Sequence, residues 1–404
     1  MKRMRALGAL ICVGLVTAGC AATHGVLPPA GGDKLYEAVS NHSSQLVSVI
    51  DSRSQATVRR LPLGVPSRDW SHLYSISGST LADTDPQTGE TLGTMAIPGG
   101  YQLPPATISG VPGGTSTDGR WLVLEAFDQA SGTHMILIDT TTSHVAHRID
   151  LAGHFRFDAI SNDGNRLYLI QLLNGKEYYV RLYDVPTASL TDNIVVDKSS
   201  GEQSMTGVRL SGVASPDGHW LYSMYVREDG GPFVHALSLD GPFAFCLDLP
   251  GHGYATNPAE KQWSLVMNNT GTRVYAVNGA TGTIAEIDNS NQYQPQVTRT
   301  VNIPTVRSAG SGSGGAVISP DGRTIVTATG SGIVWVDSAH LIAGMRSLND
   351  WHVSSLGLSP DGRNLYAVRD SGAIAEIAMS SAEVTARFDP AEGQPLALMR
   401  VAAS

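Results

Sequence analysis

The sequence predicts an all-β protein built from one repeated unit of four antiparallel strands. Three observations carry this. The string Ser-Pro-Asp-Gly stands at 215–218, 319–322 and 359–362, each time just ahead of an apolar run. Many short stretches alternate apolar and polar residues with period two, the pattern of a strand with two different faces. Gly (44) and Pro (21) are scattered through all 404 residues, and no long stretch has the periodicity of an amphipathic helix. At most, 339–346 suggests a single helical turn.

The elements follow in chain order. Residues 1–19 have a basic start (Lys2, Arg3, Arg5), an apolar run over 6–18 and a small-residue end. This is the layout of a secretory signal peptide. As a helix the apolar run spans about 20 Å at 1.5 Å per residue, short of the roughly 30 Å hydrocarbon core. The segment ends Thr17-Ala18-Gly19-Cys20. It resembles the lipobox of bacterial lipoproteins, with Thr17 where Leu is usual. The resemblance implies a diacylglycerol thioether on Cys20, which becomes the mature N-terminus. It places the protein at the cell membrane, lipid-anchored, on the extracytoplasmic side. Two acyl chains suffice for stable anchoring. Residues 20–33 are rich in Ala, Gly and Pro and form a tether. The folded body is expected over 34–404.

The repeat fills that body. Looser copies of the turn are Ser116-Thr-Asp-Gly119 and Ser161-Asn-Asp-Gly164; degraded ones are Asn268-Asn-Thr-Gly271 and Ser67-Arg-Asp-Trp70. Each precedes a strand-like run such as WLVLEA, RLYLIQ, WLYSMY or NLYAVR. Pro presets φ at the second turn position, Asp bonds nearby amides, and Gly accepts a left-handed backbone. These Asp residues are therefore structural. A third strand then ends in Asp or a polar residue, as at Asp51, Asp85, Asp139, Asp184, Asp288 and Asp337, and a fourth strand follows after a short turn. The unit is thus four strands, A to D.

Four short strands every 40–55 residues is the period of a propeller blade. On Ser215-Pro-Asp-Gly-His-Trp-Leu-Tyr222 and Val47-Ser-Val-Ile-Asp51, the chain resembles the YVTN-type and SPDG-type (WD-like) bacterial β-propeller repeats over about 34–401. Eight B strands and eight C–D hairpins can be counted, which favours eight blades, with seven as the alternative. The first unit lacks an A strand, whereas 395–401 (PLALMRV) is strand-like with nothing after it. Putting that strand into the first blade closes the ring and removes two sheet edges.

The A–B and C–D links are short and stereotyped and lie on one face. The D–A links (98–107, 250–262, 304–314, 349–353) and B–C links (127–134, 172–178, 226–233) are longer and lie on the other. Long loops on a rigid scaffold are where binding concentrates. Aromatic and Arg side chains dominate hot spots, so the candidates there are Tyr101, Tyr178, Arg227, Tyr254, Arg307 and Trp351.

Other chemistry is poorly supported. The net charge is -9, and the proposed signal carries three of the positive charges. An acidic body argues against nucleic-acid binding. Cys246 alone remains for the body, in an apolar stretch, as a small buried hydrophobe. Gly310, Gly312 and Gly315 fit G-x-G-x-x-G but precede a strand, not a helix, so no phosphate site forms. His144 and His147 stand three apart on a strand, which aims them at opposite faces. No hydrolase, zinc-protease or P-loop motif occurs, and no cofactor or metal is indicated. The leading expectation is a non-enzymatic, lipid-anchored binding scaffold for a protein or envelope polymer. The alternatives are a propeller enzyme of lactonase or quinoprotein type with a central-channel site, and a structural envelope spacer.

Overall fold

The computed structural model describes residues 32–41, 44–106, 111–128, 132–198, 204–291, 294–304, 315–330, 332–390 and 393–403. The signal, Cys20 and most of the tether lie outside them. The described residues form eight antiparallel-built sheets, each one blade of a propeller. No helix among them is long and apolar enough to cross a membrane.

Blade 1 joins the two ends of the body. Its strands, from the inside out, are Gln394–Ala402, Lys34–Asn41, Ser44–Asp51 and Ala56–Pro62. The C-terminal strand pairs Val401 with Leu35 and Ala397 with Ala38, so the ring closes as the missing first strand requires. Eight blades result because Ser67-Arg-Asp-Trp70 is a true A–B turn. Its A strand is only Val65–Pro66, paired to Leu73–Ser77.

The innermost strands of blades 5, 6, 7, 8 and 1 lie side by side in ring order. The B and C strands are covered on both sides by neighbouring blades. Leu167, Tyr168 and Leu169 are therefore all buried although they point alternately to opposite faces. The core is a series of interfaces, not one centre. Between blades 5 and 6 it holds Trp220, Tyr222, Met224 and Trp263; between blades 7 and 8 it holds Trp335, Trp351, Val353 and Leu365. The D strands face outward and alternate, as in Ala56–Pro62.

Four details depart from the sequence expectation. Residues 339–346 form no helical turn: Leu341 takes a left-handed φ of 55° and Ile342–Ser347 is the D strand of blade 7. In blade 3 the A strand is split. Tyr101–Gln102 pairs with the B strand, Pro105 and Pro112 form an isolated antiparallel bridge with each other, and pairing to the B strand resumes at Thr115. Val196–Asp197 crosses from blade 4 to add a parallel fifth strand to the outer edge of blade 5. Finally, a bulge at Ala146 shifts the register between Val145 and His147. An extra residue restores the parity, so His144 and His147 point to the same side.

Candidate functional site

The tight-turn face is built by hydrogen bonding within each turn. Ser215 Oγ accepts from Trp220 N at 3.0 Å, and Asp217 accepts from both Ser215 Oγ and His219 N. The same set recurs at Ser116/Asp118, Ser319/Asp321 and Ser359/Asp361. In blade 2, Trp70 adopts φ 61° at the place of the usual Gly, with its ring 5.1 Å from that of Tyr36. The Asp residues ending C strands accept from the next turn's amides, as Asp51 does from Arg53 N and Ser54 N. Donors aimed at a carboxylate favour its charged form. Ser67 and Ser71 lower the pKa of Asp69 to about 2, and the Lys34 ammonium with Ser54 N lowers Asp51 to about 2. These acids hold turns.

The turns also hold one another around the inner rim. Asp118 N donates to Asn162 Oδ1 at 3.0 Å, Asn269 Nδ2 to the Pro320 carbonyl at 2.6 Å, and Arg400 to the Asp69 carbonyl at 3.2 Å. Arg68 of blade 2 reaches the Pro216 carbonyl of blade 5 at 2.6 Å, bracing turns three blades apart.

A cavity of about 330 Å³ sits beside that brace, among the inner strands of blades 2 to 5. Its charged lining is Arg68, Asp158 and Arg209. Asp158 and Arg209 are paired at 3.1 Å, and the carboxylate side chain is 2% exposed. A similar pair lies one blade earlier, where Arg156 meets the fully buried Glu125 at 3.3 Å. Burial raises the Glu125 pKa, against the Phe157 amide and Arg156, which lower it. Behind Asp158, between blades 4 and 5, lie Tyr178, Tyr225, His235 and Cys246. Burial lowers the His235 pKa and raises that of the Cys246 thiol. A neutral thiol packed 3.6 Å from His235 is no nucleophile. Among the described residues, no group of three or more His, Cys, Asp or Glu is placed to hold a metal ion.

The long-loop face separates the sequence candidates. Tyr178 is 5% exposed, on the C strand of blade 4, with its ring 6.1 Å from that of Tyr225. Trp351 is also 5% exposed and lies between Arg369 and Arg387, whose guanidinium carbons are 5.6 and 5.5 Å from its ring. Both rings fill blade interfaces and are withdrawn from the surface. Sequence position put them in links; tertiary packing drew them in. Tyr101 is half-buried, pairing with Ala126 and packing between blades 2 and 3. Arg307 lies outside the described residues.

Arg227 and Tyr254 are brought together. Tyr254 N donates to the Arg227 carbonyl at 3.0 Å. The Arg227 guanidinium lies 4.1 Å from the Phe233 ring and donates to the Gly231 carbonyl at 2.8 Å. Lys261 sits 4.3 Å over the Tyr254 ring. Their link, 250–262, is fixed from beneath by Glu260, which is 2% exposed and accepts from Trp263 Nε1, His252 N and Asn257 Nδ2. Lys176 of blade 4 then bridges to Glu228 of blade 5 at 2.8 Å.

On the same face stand three side chains absent from the sequence candidates. Leu172 and Leu173 are neither aromatic nor Arg, and Phe127, which is aromatic and opens the link 127–134, reads in sequence as the tail of an apolar strand. Phe127 is 66% exposed at the end of the blade 3 B strand, and Leu172 and Leu173 are 43% and 41% exposed at the same place in blade 4. The signal was present: apolar residues immediately after a B strand, where the blade no longer covers them. By blade order these groups form a row, the crescent, on the long-loop face of blades 3 to 6, with the exposed apolar side chains on blades 3 and 4 and the cationic and aromatic groups on blades 4 to 6.

No protein-family model matches the chain. No curated protein matches it either. Among solved structures it is similar to apo AztD from Citrobacter koseri, at 15% identity and TM-score 0.56 over 93% of this chain and 98% of that one. A second Citrobacter koseri AztD crystal structure gives 14% identity and TM-score 0.52, with the same coverage. Dihydro-heme d1 dehydrogenase NirN in complex with DHE gives 16% and 0.52 over 89% of this chain and 74% of that one. At such identities the likeness is one of fold.

Proposed function

We propose that this chain is a lipid-anchored extracytoplasmic propeller that binds a protein or envelope polymer on its long-loop face. The observation that carries the reading is the crescent from Phe127 to Lys261. Exposed apolar side chains beside ordered Arg, Tyr and Lys groups suit a protein or polymer contact. The buried Glu260 and the Lys176–Glu228 bridge hold the links in place before any partner arrives, which lowers the entropic cost of binding. Membrane attachment rests on the Cys20 motif.

The test is crosslinking and affinity capture from solubilised membranes with the lipidated full chain as bait, repeated with Phe127→Ala/Leu172→Ala. Support is a partner captured by the parent chain and lost from the doubly substituted one. A partner retained equally by both contradicts the crescent.

A channel enzyme is the second reading, favoured by the 330 Å³ cavity. Catalysis there needs several groups free to converge on a substrate. Asp158 and Arg209 are engaged with each other and Arg68 with Pro216, so this reading ranks below the first.

A further inference from the structure

We propose that the tight-turn face lies against the membrane, so that the crescent is turned away from it and stays open to partners. The proposal rests on the lipid-anchored reading of Cys20 and adds a direction to it. It comes from where the body begins. Asp33 is 8% exposed and is pinned at the tight-turn face. Its N–H donates to Ser52 Oγ at 2.7 Å, and its carbonyl accepts from Ser52 N at 2.9 Å. Ser52 belongs to the C–D turn of blade 1. Tyr366 of blade 8 donates to the Asp33 carboxylate at 2.7 Å. The tether must therefore leave from this face, near the seam of blades 1 and 8.

Length sets what an anchor at Cys20 can do. Residues 20–31 reach at most roughly 40 Å at about 3.3–3.6 Å per residue. Strand Lys34–Asn41 has 8 residues and climbs about 26 Å to the other face at roughly 3.3 Å each. Laying the long-loop face on the bilayer would require the tether to retrace that height outside blade 1. More than half of its contour would be used, stretching it beyond the roughly 17–21 Å that a relaxed flexible chain of this length spans. Resting on the tight turns needs neither. Charge permits this contact, because several turn carboxylates have a basic partner: Asp51 has Lys34, Asp139 has Arg120, Asp163 has Arg166 and Asp288 has Arg273.

Energy transfer from two ends of one blade to acceptor-labelled lipid headgroups tests the orientation. His340, 75% exposed, caps the tight-turn end of the blade 7 D strand. Asp350 is exposed beyond its other end. The acylated full chain, carrying His340→Cys or Asp350→Cys with a donor dye, is reconstituted in phosphatidylcholine vesicles. Gln87→Cys and Asp229→Cys form a second pair, and the parent chain corrects for labelling at Cys246. Transfer is expected to be stronger from 340 and 87 than from 350 and 229. Equal or reversed transfer from an acylated, vesicle-bound chain overturns the orientation alone. Absence of an acyl group on Cys20 overturns the anchoring, and the orientation with it.

Discussion

Tyr366 and Asp33 stand 333 residues apart in sequence, yet the phenol donates to the carboxylate at 2.7 Å. The bond ties the first strand of the body to the last complete blade, beside the seam that the C-terminal strand closes. Losing it leaves a buried carboxylate short of a donor. Tyr366→Phe is expected to lower unfolding free energy by about 1–3 kcal/mol, measured by urea denaturation. Truncation after residue 393 removes the whole inner strand of blade 1. It should cause a much larger loss and promote aggregation through the exposed edge. An unchanged midpoint for the truncated chain would contradict closure.

The turn glycines set a second expectation. Gly218 has φ 77°, and a Cβ there would come 2.3 Å from Asn162 Nδ2 of the blade 4 turn before it. Gly218→Val should cost about 1–3 kcal/mol through backbone strain. The folded fraction should bind its partner as the parent chain does, since this face is not the binding surface. Thermal melts and affinity measured on the same preparation separate the two effects.

Acid should weaken the fold in two steps. Burial lowers the His235 pKa from its usual 6.5. The unfolded chain therefore takes up a proton that the folded one resists, and stability falls as pH drops below about 6.5. Asp51 and Asp69 are lowered to about 2 from 3.8. Their contribution is full above about 4 and disappears as pH falls towards 2. His235→Gln should flatten only the upper step of a stability–pH curve. The Asp240 carboxylate raises the His219 pKa, which acts in the opposite sense over the same range, so the test is the difference between the two curves. Identical curves for the parent chain and His235→Gln between pH 7 and 5 would contradict the buried, neutral imidazole.

Packing and binding should separate between residues that the sequence grouped together. Trp351→Ala and Tyr178→Ala open cavities in blade interfaces and should each cost about 3–5 kcal/mol of stability. Phe127→Ala should change stability little, and Tyr254→Ala, half-buried against the interface of blades 5 and 6, should cost less than Trp351→Ala. At least one of the two should weaken partner binding by about 2 kcal/mol or more. Melting temperature and a binding isotherm for each variant decide the matter.

Much of the fold was legible because it is local. A serine and an aspartate two apart mark the turn even where Trp70 replaces Gly, which is why Ser67-Arg-Asp-Trp70 marked a blade and eight exceeded seven. The surplus C-terminal strand identified the seam. What was hidden depends on distant chain. The burial of Tyr178 needs Tyr225 of the next blade, and that of Trp351 needs Arg369 and Arg387. The bulge that aligns His144 with His147 appears only when Leu137 and Ile138 are laid against them. The stray fifth strand at Val196–Asp197 has too few residues to show a period. Phe127, Leu172 and Leu173 look like core residues in any apolar count; only the end of the covering blade reveals them as surface.

The binding claim is tested most directly by photo-crosslinking in intact cells, with a photoreactive residue placed singly at 127, 172 and 254 on one face and at 87, 340 and 363 on the other. The account predicts a discrete adduct from the first group and none from the second. A discrete adduct confined to 87, 340 or 363 would place the partner on the tight turns and contradict it.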